Sequence, residues 1–110
     1  MSQKESPISL TSQFRESTLI MLIECDSRKR EWTRRHRGLD FQDAADVFAG
    51  PTIDGVDSRY DYGEQRIRTF GALKGRWVIV VWTPRGAVRR IISMRYANER
   101  EIRQNASRVG

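Results

Sequence analysis

Trp77-Val78-Ile79-Val80-Val81-Trp82-Thr83-Pro84-Arg85-Gly86-Ala87-Val88-Arg89-Arg90-Ile91-Ile92-Ser93-Met94 decides the fold. The run from Trp77 to Trp82 is apolar at every position, so a strand made from it must be covered on both faces, as a central strand is. Thr83-Pro84-Arg85-Gly86 carries turn chemistry and predicts a tight hairpin connection into a strand from Ala87 to Met94. Alternation along that strand puts Val88, Arg90, Ile92 and Met94 on one face and Arg89, Ile91, Ser93 and Arg95 on the other. Arg90, alone among apolar neighbours, needs a partner: a carboxylate such as Glu64, or the phosphate of a substrate.

Working outward, the segment from about Glu64 to Ala72, bounded by Gly63 and by Lys74-Gly75, predicts another strand, and Ala97 to about Ser107 predicts a closing helix rich in Arg and Glu. Toward the N-terminus, Leu22 to Glu24 suits an edge strand, and Asp26 or Ser27 can cap a helix from Ser27 to Arg37 that ends at Gly38. From Asp40 a second helix places Phe41, Ala44, Ala45 and Phe48 on one apolar face, until Gly50-Pro51 stops it. Residues 1–20 are Ser-rich and aperiodic, which predicts a flexible leader ahead of one domain over 21–110. The expected class is α+β: N-terminal helices, an antiparallel β-meander of three to four strands, and a C-terminal helix.

The chain has 110 residues, 38% of them hydrophobic, which is enough for one modest core. Its net charge of +6 is unevenly placed: residues 1–57 carry −2 and residues 58–110 carry +8. Seventeen of the twenty basic residues are Arg, whose planar fork suits phosphate and base stacking better than Lys does. Six of the ten residues from Arg28 to Arg37 are basic, and the chain's only His, His36, sits among them. Such density repels itself without an anion nearby, so nucleic acid is the first partner to consider, against the plainer reading of a solvated surface. The lone Cys25 allows no internal disulfide and no zinc-finger spacing, so a cytoplasmic location is expected. No apolar run approaches the roughly twenty residues that cross a bilayer.

The order of motifs resembles the BrnT family. Ile23-Glu24-Cys25-Asp26, Lys29, Gly38-Leu39-Asp40-Phe41, Val47-Phe48, Tyr62-Gly63-Glu64-Gln65-Arg66, Val81-Trp82-Thr83 and Arg90-Ile91-Ile92-Ser93-Met94-Arg95 carry the likeness, which covers about residues 21–105. The resemblance implies a RelE-like ribonuclease fold, the toxin half of a type II toxin-antitoxin module that cleaves RNA and inhibits translation. It also implies a BrnA-like antitoxin with a ribbon-helix-helix element, held in a hetero-oligomer. The chain departs from the family at Cys25, where Trp is usual, at Thr33, where Asn is common, and at His36-Arg37-Gly38, where Lys-His-Gly is usual. The His is thereby displaced by one position, about 100° around a helix.

RNA carries its own nucleophile, the 2′-hydroxyl, and a ribonuclease must accept its proton, stabilise the crowded phosphorane and protonate the leaving 5′-oxygen. The candidate catalytic residues are Lys29, His36, Glu64, Arg66, Arg90 and Arg95. Lys29 matches a family position and can bind phosphate, or be a solvated helix residue. His36 suits proton transfer near neutral pH, or is a bystander on the surface. Glu64 and Arg66 are expected to form a supporting pair that orients Arg90 or Arg95, with a general-base role for Glu64 as the alternative. Arg66, Arg90 and Arg95 would clamp the phosphate, although strict alternation puts Arg90 and Arg95 on opposite faces unless the strand bends. Arg28, Arg34, Arg35, Tyr62, Arg85 and Arg89 are candidates for RNA binding. Tyr60, Tyr62, Trp77 and Trp82 can stack bases, with core packing the better reading for both tryptophans. No carboxylate cluster has spacing suited to magnesium, so neither a metal nor a cofactor is expected.

Overall fold

Strand β4 (Arg76–Arg85) runs through the middle of a five-stranded sheet of order β1-β5-β4-β3-β2 in the computed structural model, which describes residues 22–58 and 63–109. The other elements are β1 (Leu22–Cys25), α1 (Ser27–Arg37), a 3-10 turn (Phe41–Asp43), α2 (Ala44–Ala49), β2 (Thr52–Val56), β3 (Ile67–Leu73), β5 (Val88–Tyr96) and α3 (Glu99–Val109). Strands β2 to β5 form the expected antiparallel meander, and β1 adds a parallel edge beside β5.

The apolar run of β4 is buried on both faces for the reason its pattern suggests. Val78, Val80 and Trp82 point to one side, into a core with Leu39, Phe41, Ala44, Val47, Ile91 and Met94. Ile79 and Val81 point to the other, with Phe70, beneath Ile102, Ala106 and Val109 of α3. Trp82 is buried, and Trp77 stacks on Phe70 at 4.8 Å, so both tryptophans pack as core residues rather than base platforms.

Several expectations needed correction. Strand β2 has no alternating pattern, contains Asp54 and Gly55, and follows Pro51; it is a strand because β3 pairs with it from Thr52↔Gly71 to Val56↔Ile67. The strand expected from Glu64 begins at Ile67, and that expected from Ala87 to Met94 runs from Val88 to Tyr96. Thr83-Pro84-Arg85 is not the hairpin turn but the end of β4, and the turn is Gly86-Ala87, with Gly86 at φ 61°. Pro84 is tolerated there because the β3 ladder ends at Ile67↔Trp82, so its missing N–H interrupts no pairing on that side.

A further correction bears on function. Val81 pairs with Ser93 but Trp82 pairs with Ile91, leaving one extra residue, Ile92, in β5. This bulge reverses the alternation beyond it. Ile91 and Met94 therefore share the core beneath α1 and α2, and Ile92 faces α3 instead.

The helices follow their caps. Asp26 caps α1, and Gly38, at φ 70°, ends it. Asp40 caps the 3-10 turn through the Gln42 N–H, so the expected second helix starts as 3-10 and becomes α only at Ala44. Asn98 and Glu101 bond reciprocally to each other's backbone N–H at 2.9 and 2.8 Å, a capping box that starts α3 two residues later than the pattern implied. The expected leader and the tyrosines at 60 and 62 lie outside the described residues. Among the described residues no helix is long and apolar enough to cross a membrane.

Candidate nucleic-acid interface

Helix α1 concentrates positive charge and is held together by a few acidic residues. Asp26 accepts N–H bonds from Arg28 (2.8 Å) and Lys29 (3.1 Å), which lower its pKa, with smaller help from the charges of Lys29 and Arg90. Arg30 forms a fork with Asp40 (2.7 and 3.0 Å), and this bond is the main cause holding the Asp40 carboxyl down at about 2. Arg34 pairs with Glu31 at 2.8 Å. Arg37 donates to the Met94 carbonyl at 3.0 Å, on the stretch of β5 beyond the end of β1. Arg28, Lys29 and Arg35 form no ion pair among the described residues. Basic residues crowd the last turn, where the helix dipole favours them.

On the α3 side of the sheet, a band of charged residues runs from the N-terminus of α1 to the loop before β3. Arg90 pairs with Glu24 of β1 at 2.9 Å and lies beside Thr83 in register. The buried Thr83 hydroxyl donates to the Gln65 carbonyl at 2.7 Å, tying that loop to β4. Next to it Glu64 sits between Arg85 (3.4 Å) and Arg66 (3.6 Å). Arg95 follows along β5 in a fork to Glu101 of α3 (2.7 and 2.8 Å), which is the first cause holding Glu101 down at about 2. Without the bulge at Ile92, Arg90 and Arg95 would face opposite ways; with it, both face this side. Forked guanidinium groups along one open face suit a phosphodiester.

A family model described as the ribonuclease toxin, BrnT, of type II toxin-antitoxin systems matches residues 26–101. The chain belongs to the BrnT family. It is similar to the 1.1 Å crystal structure of the Brucella abortus ribonuclease toxin BrnT, with a TM-score of 0.55 and 28% identity over 73% of this chain and 100% of that one. No curated protein matches the chain. Membership in a toxin family of this type implies an antitoxin partner.

On this BrnT fold the residues singled out in the sequence separate into groups. Arg66, Arg85, Arg90 and Glu64 come together on the charged band, and Lys29 lies at its α1 end, close enough for its charge to act on Asp26. The carboxylate that meets Arg90 is Glu24, not Glu64, because β1 pairs in parallel with β5 and sets Glu24 beside it. Arg95 shares the face, but both of its terminal nitrogens are engaged by Glu101. Arg89 points to the opposite side, its guanidinium 4.5 Å from the Phe48 ring and 4.2 Å from the Trp82 ring. His36 is exposed on α1, with Nδ1 2.9 Å from the Trp32 carbonyl and its ring stacked on Trp32. Arg28 and Arg35 lie on the outer side of α1 with it, and Arg34 is turned to Glu31 and Asp40. Thr33, where the family commonly has Asn, is buried against the core. Burial is also the main cause raising the Cys25 thiol above its ordinary value, so Cys25 serves as a small packing residue.

Glu24, Thr83 and Trp32 escaped the sequence reading as site residues. Glu24 and Thr83 carry no local signal, since their roles come from strands far apart in the chain. Trp32 did carry one: it is the one large apolar side chain in a helix in which seven of eleven residues are charged.

Proposed function

We propose that this chain is an endoribonuclease toxin that cuts RNA through its 2′-hydroxyl without a metal ion and so inhibits translation in the cytoplasm. Attack of the 2′-oxygen on phosphorus releases the 5′-oxygen, and the phosphorane between them carries extra negative charge. The single observation that carries the reading is the clustering of Arg66, Arg85 and Arg90 with Glu24 and Glu64 on one sheet face. In it Arg66 and Arg90 neutralise the phosphorane, Lys29 holds phosphate at the α1 end, and Glu24 and Glu64 aim the arginines. The donor chemistry supports a metal-independent route, because Glu24 and Glu64 are both turned to guanidinium groups. A BrnA-like ribbon-helix-helix antitoxin would neutralise the toxin by covering the same basic face.

A second reading, a family member that binds RNA or antitoxin without cutting, is favoured by one observation: the only His stacks on Trp32 rather than joining the arginine band. Induction of the full chain in a bacterial host, with total RNA run on a gel, separates the two. Growth arrest with RNA loss that disappears in the folded double variant Arg66→Ala, Arg90→Ala, and persists with purified protein in EDTA, supports the first reading. RNA retardation without cleavage supports the second and sinks the first.

A further inference from the structure

Trp32 is half exposed, an unusual place for the largest aromatic side chain on a helix whose buried face needs only Thr33. Its indole is not loose. The His36 ring lies on it with centroids 4.5 Å apart and planes within 17°, and Arg37, anchored on the Met94 carbonyl, places its guanidinium carbon 5.2 Å from the indole centroid. The two rings border a shallow hollow of about 350 Å³ with Ser27, Arg28, Glu31 and Arg35. Arg28 and Arg35 are seven residues apart, hence on one stripe of the helix about 10 Å from each other, alongside the stripe of the ring pair. Neither makes an ion pair among the described residues. The one acid of the rim, Glu31, is engaged by Arg34.

We infer that this hollow is a binding subsite for one unpaired base of single-stranded RNA, stacked on the Trp32–His36 pair, with the flanking phosphates held by Arg28 and Arg35. The inference rests on the ribonuclease reading for its substrate but uses none of the residues of the arginine band. Parallel rings held in advance by neighbouring groups offer a flat π surface, and a cationic rim beside that surface selects a planar group joined to anions. A nucleotide meets both requirements at once. The subsite is open and shallow, and stacking on a π surface reads no base edge, so it accepts any base. The displaced histidine then has a use: at position 36 it lies one turn beyond Trp32 and can stack on it, which position 37 does not allow as well.

The test uses the full chain and a fluorescent 2′-O-methyl hexanucleotide, which the enzyme cannot cut, followed by anisotropy. Trp32→Ala should bind it about tenfold more weakly than the unaltered protein, and Trp32→Phe should recover most of the loss. A hexanucleotide with one abasic position should bind the unaltered protein about as weakly as the intact one binds Trp32→Ala, and Trp32→Ala should not discriminate between the two. Arg28→Gln with Arg35→Gln should flatten the salt dependence of log Kd by about one to two. If Trp32→Ala binds and cuts RNA like the unaltered chain, the subsite is overturned while the ribonuclease reading stands. Loss of antitoxin binding with RNA binding intact also overturns it and gives the face to the protein partner. If the unaltered chain binds the hexanucleotide through Trp32 but cuts no RNA, the subsite stands and the ribonuclease reading falls.

Discussion

Glu24 and Arg90 meet at 2.9 Å although 66 positions separate them in the chain. Parallel pairing of β1 with β5 places them side by side, at the point where the charged band begins. Both remain partly exposed, 43% and 29%, so the bond is open to solvent and screened, worth at most about 1 kcal/mol of stability. An arginine fixed there at low cost is available to a phosphate.

Arg90→Ala should therefore separate activity from stability. RNA cleavage should fall about 100-fold or more, as expected when a preorganised charge is removed from a transition state, while unfolding by urea shifts by no more than about 1 kcal/mol. Parallel rate and urea measurements on one preparation check this. A variant that cuts at the normal rate would remove Arg90 from the reaction.

Arg95 should behave in the opposite way. Its fork to Glu101 joins β5 to the capping box of α3, so Arg95→Ala should cost about 1–3 kcal/mol and loosen the helix. Amide hydrogen exchange of α3 should rise before that of β4. Protection unchanged in α3 would show that the fork does not pin the helix.

The acid response has a definite sign. Glu101 and Asp40 are both held at about 2 in the fold, below their ordinary values of 4.5 and 3.8. The unfolded chain thus binds more protons at low pH, and stability is fully present above about 4.5 and falls as pH drops toward 2. Glu101→Gln and Asp40→Asn should each flatten the stability profile in that window and leave it unchanged in slope near neutrality. Urea midpoints between pH 2 and 6 measure it.

Gly71 is where α2 presses on the sheet. A Cβ there would lie 2.8 Å from Val47 Cγ1 and 3.0 Å from Thr52 Cγ2, so Gly71→Ala should destabilise by about 1–3 kcal/mol. Val47→Ala in the same chain makes room, and the double variant should lose less than the sum of the singles. Additive losses would mean the two positions do not touch.

Thr69 joins the core to the β2 edge: Trp82 Nε1 donates to its hydroxyl at 2.8 Å, and the hydroxyl donates to Asp54 at 2.6 Å. Thr69→Val keeps the shape but leaves a buried indole N–H without its acceptor, at a cost of about 1–3 kcal/mol. Thermal unfolding of Thr69→Val beside Thr69→Ser checks it, since Ser retains the bond.

How far the sequence could be read depended on whether a feature was local. The apolar run Trp77–Trp82 announced a strand buried on both faces, and Asp26 with Gly38 bounded α1, because burial pattern and capping are written within a few neighbouring residues. Strand β2 left no such mark, since Asp54 and Gly55 break its short run of β-branched residues and pairing with β3 makes it a strand. Of the candidate site, the arginines are legible by type and motif, and so is the Glu64–Arg66 pair, but Glu64 also meets Arg85, and the carboxylate beside Arg90 is Glu24 rather than Glu64.

The sequence by itself determined the α+β order of elements, the double-sided core strand, the density of arginine and the BrnT likeness, all of which rest on residue type and short spacing. Only the tertiary structure decided which way the arginines face. A single bulged residue, Ile92, turns Arg95 to the side of Arg90, and a four-residue parallel strand supplies Glu24. Both depend on the register of one strand against another, and register is set by the packing of the whole sheet rather than by any stretch of it.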